Sequence, residues 1–156
     1  MNENNDGFVR VLFKFYSDAL EKWTVETMWT EIVDLDKGHF RIENIPFYAS
    51  FACDDIIFAE YDDDQEMLTY RELIKASNNS TIQVVLTNKS TKTNNIREIF
   101  NHLGCESEKL SEGYFVINVP EEVNYSIVKS KLLILESDSI IDFAESCLSE
   151  QHRIQC

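Results

Sequence analysis

Glycine and proline are scarce in this chain, with four and two among 156 residues. That scarcity excludes low-complexity linkers and glycine-rich phosphate loops. Gly7, Gly38, Gly104 and Gly113 are each isolated, so no P-loop or dinucleotide fingerprint exists. Long apolar runs are also missing. The stretch Leu132-Leu133-Ile134-Leu135 holds four residues, where a membrane span needs about 18. No basic segment followed by an apolar one opens the chain, which reads as lacking a signal peptide. Cys53, Cys105, Cys147 and Cys156 show no C-x-x-C spacing, so neither a zinc ribbon nor a thioredoxin-like motif is supported. The expectation is small buried hydrophobes plus one free C-terminal thiol, in a reducing cytoplasmic compartment.

Catalytic and metal motifs are thin as well. His39, His102 and His152 are scattered, with no H-E-x-x-H or H-x-x-x-H spacing. No G-x-S-x-G elbow occurs, and Ser77 and Ser80 have no histidine nearby in sequence. The run Asp62-Asp63-Asp64-Gln65-Glu66 lacks the sixth-position Gly and distal Glu of a calcium loop. The chain is therefore expected to be no enzyme, with no catalytic residue, cofactor or metal.

Basic charge is the scarcest commodity. Fourteen Lys and Arg face 28 Asp and Glu, a formal net charge of -14. Yet 44% of the residues are hydrophobic and 12% aromatic, which is too apolar for a disordered acidic tail. A folded domain with this charge repels nucleic acid and anionic membranes and attracts basic proteins.

Period-two alternation marks Phe8–Tyr16 and Trp23–Val33 as strands. The segments His39–Glu43, Phe47–Phe51, Ile56–Tyr61 and Met67–Ile74 follow as further extended segments, separated by short turns. They predict an antiparallel, small barrel-like first half. Near residue 75 the pattern changes. Ile82–Thr87 reads as a buried strand, and Ile96, Ile99, Phe100 and Leu103 as a helix capped from the polar run 88–95 and closed at Gly104. A strand over Tyr114–Val119 and a helix from Val123 to about Leu135 come next. Residues 139–148 read equally as a strand or a helix. If Cys105–Leu110 is extended, the order is β-α-β-β-α-β, a ferredoxin-like half. The fold class is thus α+β, divided as residues 1–80 and 81–156 and intimately packed. Trp29 and Phe47 are read as core, and Ser80 and Thr81 as hydrogen-bonding the turn before Ile82.

Several segments together resemble a bacterial family known as domain-of-unknown-function family 4265. They are Glu26-Thr27-Met28-Trp29, Asn44-Ile45-Pro46-Phe47-Tyr48, the strand start at Asp55, Ser77-Asn78-Asn79-Ser80-Thr81, Leu103-Gly104-Cys105 and Val119-Pro120. The resemblance covers roughly residues 8 to 147. Asp54 and Asn78 stand where the family pattern has Gly, and Gln83 where it has Arg. The resemblance implies small proteins of which some resemble toxin immunity proteins.

The densest acidic cluster, Asp54, Asp55, Glu60, Asp62, Asp63, Asp64, Glu66 and Glu72, is the expected binding surface, with Tyr61 and Tyr70 as aromatic anchors. A second acidic stretch, Glu106 to Glu112 with Glu121 and Glu122, either extends the binding face or solvates loops. The partner expected there is a cognate toxin domain, basic and of nuclease type, whose active site is occluded. A pocket between the two halves that binds a small molecule is the alternative.

Overall fold

A computed structural model describes residues 7–156, an α+β chain built mostly of antiparallel sheet with short helices. Strands β1 (Phe8–Ser17), β2 (Lys22–Asp34), β3 (His39–Ile42), β4 (Ile56–Asp62) and β5 (Met67–Lys75) pair in chain order. A parallel contact at Leu12 and Thr69 returns β5 to β1, closing this sheet on itself. Alternation in β1 and β2 places Val11, Phe13 and Met28 inside, where they join Phe40, Ile42, Ala49, Ile57 and Ala59 in one core. Gly38 turns the chain between β2 and β3 at φ +72. A Cβ there would lie 2.8 Å from the Ala59 carbonyl oxygen and from the Phe58 ring, so no larger residue fits.

The second sheet has strand order β7-β8-β6-β9, from β6 (Ser80–Leu86), β7 (Glu106–Ser111), β8 (Tyr114–Val119) and β9 (Ile141–Cys147). Helices α1 (Thr93–His102) and α2 (Tyr125–Ser137) cover it, and α3 (Glu150–Arg153) follows β9. A separate core of Ile82, Val84, Phe100, Phe115, Ile117, Val119, Val128 and Leu132 fills this layer. In α2 the buried positions Tyr125, Val128, Leu132 and Leu135 recur at three and four, as helical packing demands.

Capping differs from expectation at one end and agrees at the other. The polar run before α1 gives no side-chain cap, since Lys92 occupies that position. Glu112, from the β7–β8 turn, instead accepts from the Thr93 N–H at 3.0 Å and its hydroxyl at 2.9 Å. At the C-terminus Gly104 takes φ +93, and Cys105 N–H reaches the Phe100 carbonyl at 3.1 Å. With Gly104 N–H on the Asn101 carbonyl, this is a Schellman closure.

One open alternative is resolved and one expectation changes. Residues 141–147 form a strand, because Ile141 pairs with Leu86 and Phe143 packs on the second core. Residues 47–51 are irregular backbone rather than a strand, held by side chains described below.

Candidate functional site

The β4–β5 hairpin ends in a turn over residues 63–66, with Glu66 N–H bonded to the Asp62 carbonyl at 2.8 Å. Asp62 organises this tip. One carboxylate oxygen accepts from Asp64 N–H at 2.8 Å and Gln65 N–H at 3.2 Å. The other accepts from Arg71 Nη2 at 2.8 Å, while Arg71 Nε donates to Glu60 at 3.0 Å. The Arg71 guanidinium, with the Gln65 N–H, holds the Asp62 carboxyl below its ordinary value. Glu60 and Asp62 are thus partly neutralised, and Asp63, Asp64 and Glu66 carry the exposed charge. Tyr61 stands beside them, 52% exposed.

The sequence cluster does not stay together. Asp54 and Asp55 precede β4 and lie at its opposite end, roughly 20 Å from the tip by strand rise. Asp54 is exposed and lines a separate cleft of about 300 Å3 with Arg41, Lys75 and Glu121. Asp55 is 3% exposed and turned to backbone donors, Ala52 N–H at 3.0 Å and Ser77 N–H at 2.8 Å, so it presents nothing to a partner. Tyr70 is also no surface anchor. Its ring stacks on Phe13 at 5.1 Å and meets Phe51 edge-on at 4.8 Å, as part of the first core.

The aromatic expectation for Trp29 is corrected too. It is 38% exposed on the outer face of β2, with the Arg10 guanidinium 4.8 Å over its ring. Trp23, on the same face, is 68% exposed. Phe47 is half-buried and contributes its carbonyl. That carbonyl accepts from Gln83 Nε2 at 3.1 Å and from the Tyr114 hydroxyl.

Those last bonds belong to an interlock between the two sheets. The Glu26 carboxylate accepts three successive backbone N–H groups, from Phe47 at 2.7 Å, Tyr48 at 3.1 Å and Ala49 at 3.0 Å. Asn44 accepts from Trp29 N–H at 2.6 Å. Thr81 donates to the Phe51 carbonyl at 2.8 Å, and the Asn79 amide to the Cys53 carbonyl at 3.0 Å. Asn79 also accepts from Glu121 N–H at 2.9 Å. Irregular backbone between β3 and β4 is thereby satisfied by side chains from both sheets, as buried backbone must be.

The model of the family described as "Domain of unknown function (DUF4265)" matches residues 26–143. The chain belongs to the DUF4265 family. A hypothetical protein from Neisseria gonorrhoeae, known from a crystal structure, superposes with a TM-score of 0.76 at 27% identity, covering 90% of this chain and 94% of that one. No curated protein matches. Glu26, Asn44, Phe47, Asn79 and Thr81, among the residues that carried the DUF4265 resemblance, take part in the interlock. Asp54 and Asn78, standing where the DUF4265 pattern has Gly, take φ +68 and +72. Asp and Asn tolerate that left-handed region best among residues bearing a Cβ.

One pairing was invisible in the sequence. Ser80 Oγ lies 2.6 Å from Nδ1 of His152, 72 positions away, and both residues are fully buried. His152 Nε2 donates to the Pro120 carbonyl at 3.1 Å, so Nδ1 is the acceptor and Ser80 donates to it. Ser80 Oγ in turn accepts from Ser149 N–H at 2.9 Å. A serine and histidine at this distance have the geometry of a nucleophile and base, but without access to solvent they pin α3 to β6. Ser80 therefore reaches the C-terminal segment rather than its own turn.

The cysteines are free thiols. Burial pushes Cys105 up to about 12 and Cys147 up to about 11, and raises Cys53 further, with Asp54 and Glu106 adding to it. Among the described residues no group of three potential ligands could hold a metal, and no helix is long and apolar enough to cross a membrane.

Proposed function

We propose that this chain is a cytoplasmic immunity protein, which binds a cognate basic toxin domain of nuclease type and occludes its active site. The observation that supports it is the β4–β5 tip, where exposed Asp63, Asp64 and Glu66 follow exposed Tyr61 on a turn braced by Asp62 and Arg71. A rigid anionic tip around an aromatic suits a groove built for phosphates, because carboxylates take the phosphate positions and the ring fills the centre. The surface is narrower than the sequence cluster. Asp55 and Tyr70 serve the fold, and Asp54 faces another cleft.

The same reading divides the chain into a barrel-like part, residues 1–80, and a ferredoxin-like part, residues 81–156. The strand order β7-β8-β6-β9, with a helix after β6 and another after β8, supports the second assignment.

The test pairs co-expression with kinetics. The chain should rescue growth from the toxic product of the neighbouring gene, and the purified pair should associate more slowly as salt rises. Replacing Asp63 and Asp64 by Asn and Glu66 by Gln should slow association about tenfold at low salt while leaving the melting temperature unchanged. Absence of rescue, or an association rate indifferent to both salt and these substitutions, would overturn the proposal.

A further inference from the structure

The seam between the two sheets carries a second set of groups, remote from the acidic tip in sequence and independent of the reading above. A cleft of about 420 Å3 opens there, lined by Tyr16 from the end of β1, Asp18 from the β1–β2 turn, Tyr48 from the interlock loop, and Gln83, Ala144 and Glu145 from the second sheet. That volume lies at the small end of ligand sites. No Lys or Arg is among the lining residues.

Both aromatic walls are buttressed from behind. Tyr48 stacks on Tyr114 at 5.4 Å, and Tyr16 meets Trp23 edge-on at 6.1 Å. Glu145 is held just as firmly. One of its oxygens accepts from the Tyr125 hydroxyl at 2.6 Å and from Lys129 Nζ at 2.9 Å. The other has no hydrogen-bond partner among the described residues. Pairing with β6 shifts register between Ala144 and Cys147, so β9 carries one extra residue there. Glu145 and Ser146 lie in this bulge and both line the cleft.

We propose that this cleft binds a small organic ammonium compound, its cation set between the Tyr16 and Tyr48 rings and the Asp18 and Glu145 carboxylates. Aromatic faces attract a desolvated cation through the ring quadrupole. Asp18 carries the cleft's charge with no ion pair among the described residues, and Glu145, one oxygen of which Lys129 partly neutralises, adds its free oxygen. In a molecule of net charge -14 these focus negative potential on the same space. The lining offers an anion no Lys or Arg, and a neutral ligand leaves the Asp18 carboxylate uncompensated.

The test is calorimetric titration with choline, phenethylamine and putrescine, with Trp23 fluorescence as a second readout. The neutral control is 3,3-dimethylbutan-1-ol, in which carbon replaces the choline nitrogen. At least one amine should bind with a stoichiometry of one and a Kd below about 10 mM, and the alcohol should not. Ala144→Arg places a cation in the cleft from an exposed edge-strand position, and should weaken binding at least about tenfold; Asp18→Asn should weaken it severalfold. Asp63→Asn with Asp64→Asn should leave it unchanged. The proposal fails if no amine saturates, if the alcohol binds equally, or if Ala144→Arg binds like the parent. It also fails if the tip variant weakens binding as much as Asp18→Asn, because diffuse surface charge would then be collecting the amine.

Discussion

Glu26 sits on strand β2, yet its work is done at backbone beyond the next strand, in the loop that follows β3. It accepts the N–H groups of three consecutive loop residues, 47 to 49, that no strand partner satisfies. Removing the carboxylate strands all three, and each unsatisfied buried donor costs on the order of 1–3 kcal/mol before water intervenes. Glu26→Ala should therefore destabilise the protein by about 3 kcal/mol in urea denaturation, with Glu26→Gln recovering part of the loss. A loss under about 1 kcal/mol would show that solvent replaces the carboxylate. The identity of Glu26 as a family residue was legible in the sequence; its role was not, because its partners are 21 to 23 positions ahead. Ser80 and His152 repeat the lesson across 72 positions. Side-chain hydrogen bonds between distant segments leave no periodicity to read.

Elements fared better than their ends. Strands β1 and β2 follow directly from alternation, since a period of two puts one set of side chains inside. Both main helices follow from spacing at three and four. Their termini depended on context: α1 has Lys92 at its N-cap and borrows Glu112 from a distant turn. Lys92→Asp would supply a local acceptor for the first-turn N–H groups and remove a cation from the positive end of the helix. The unfolding free energy should rise by about 1 kcal/mol, measured by chemical denaturation. No gain would mean that Glu112 already satisfies this terminus. The strand β9 had no clear signal beforehand. The apolar residues Ile140, Ile141 and Phe143 at and just before its start fit a helix as well, and pairing with β6 decided between them.

The whole molecule holds carboxylates shifted in both directions. Glu43, Asp55 and Glu108 are raised, in each case chiefly by burial. The folded state keeps protons that the unfolded chain releases, so their contribution to stability declines as pH rises above about 4 through the folded values. Asp62 is lowered mainly by Arg71 and Glu112 by Thr93. Burial of Glu145 opposes its charge, but the Tyr125 hydroxyl and Lys129 outweigh it and lower that group too. These three stabilise above about pH 4, and that stability is lost as pH falls further. Relief of self-repulsion in a chain of charge -14 adds to the first trend. The melting temperature should rise from pH 7 to about pH 5 and drop below about pH 4, with Glu108→Gln flattening the upper slope. A profile level between pH 7 and 5 would contradict this.

Composition and periodicity by themselves determined a folded acidic α+β chain with its principal strands and helices, and the short segments from Glu26 to Pro120 carried the resemblance to its family. Those properties depend on local backbone preference and on side chains repeating along one element, both written in neighbouring residues. Tertiary structure decided which carboxylates face water. It divided one acidic run between the two ends of β4, turned Asp55 inward, and brought Asp18, Tyr48 and Glu145 to one cleft. Proximity across a seam between sheets depends on how the chain returns, and no stretch of sequence contains that path.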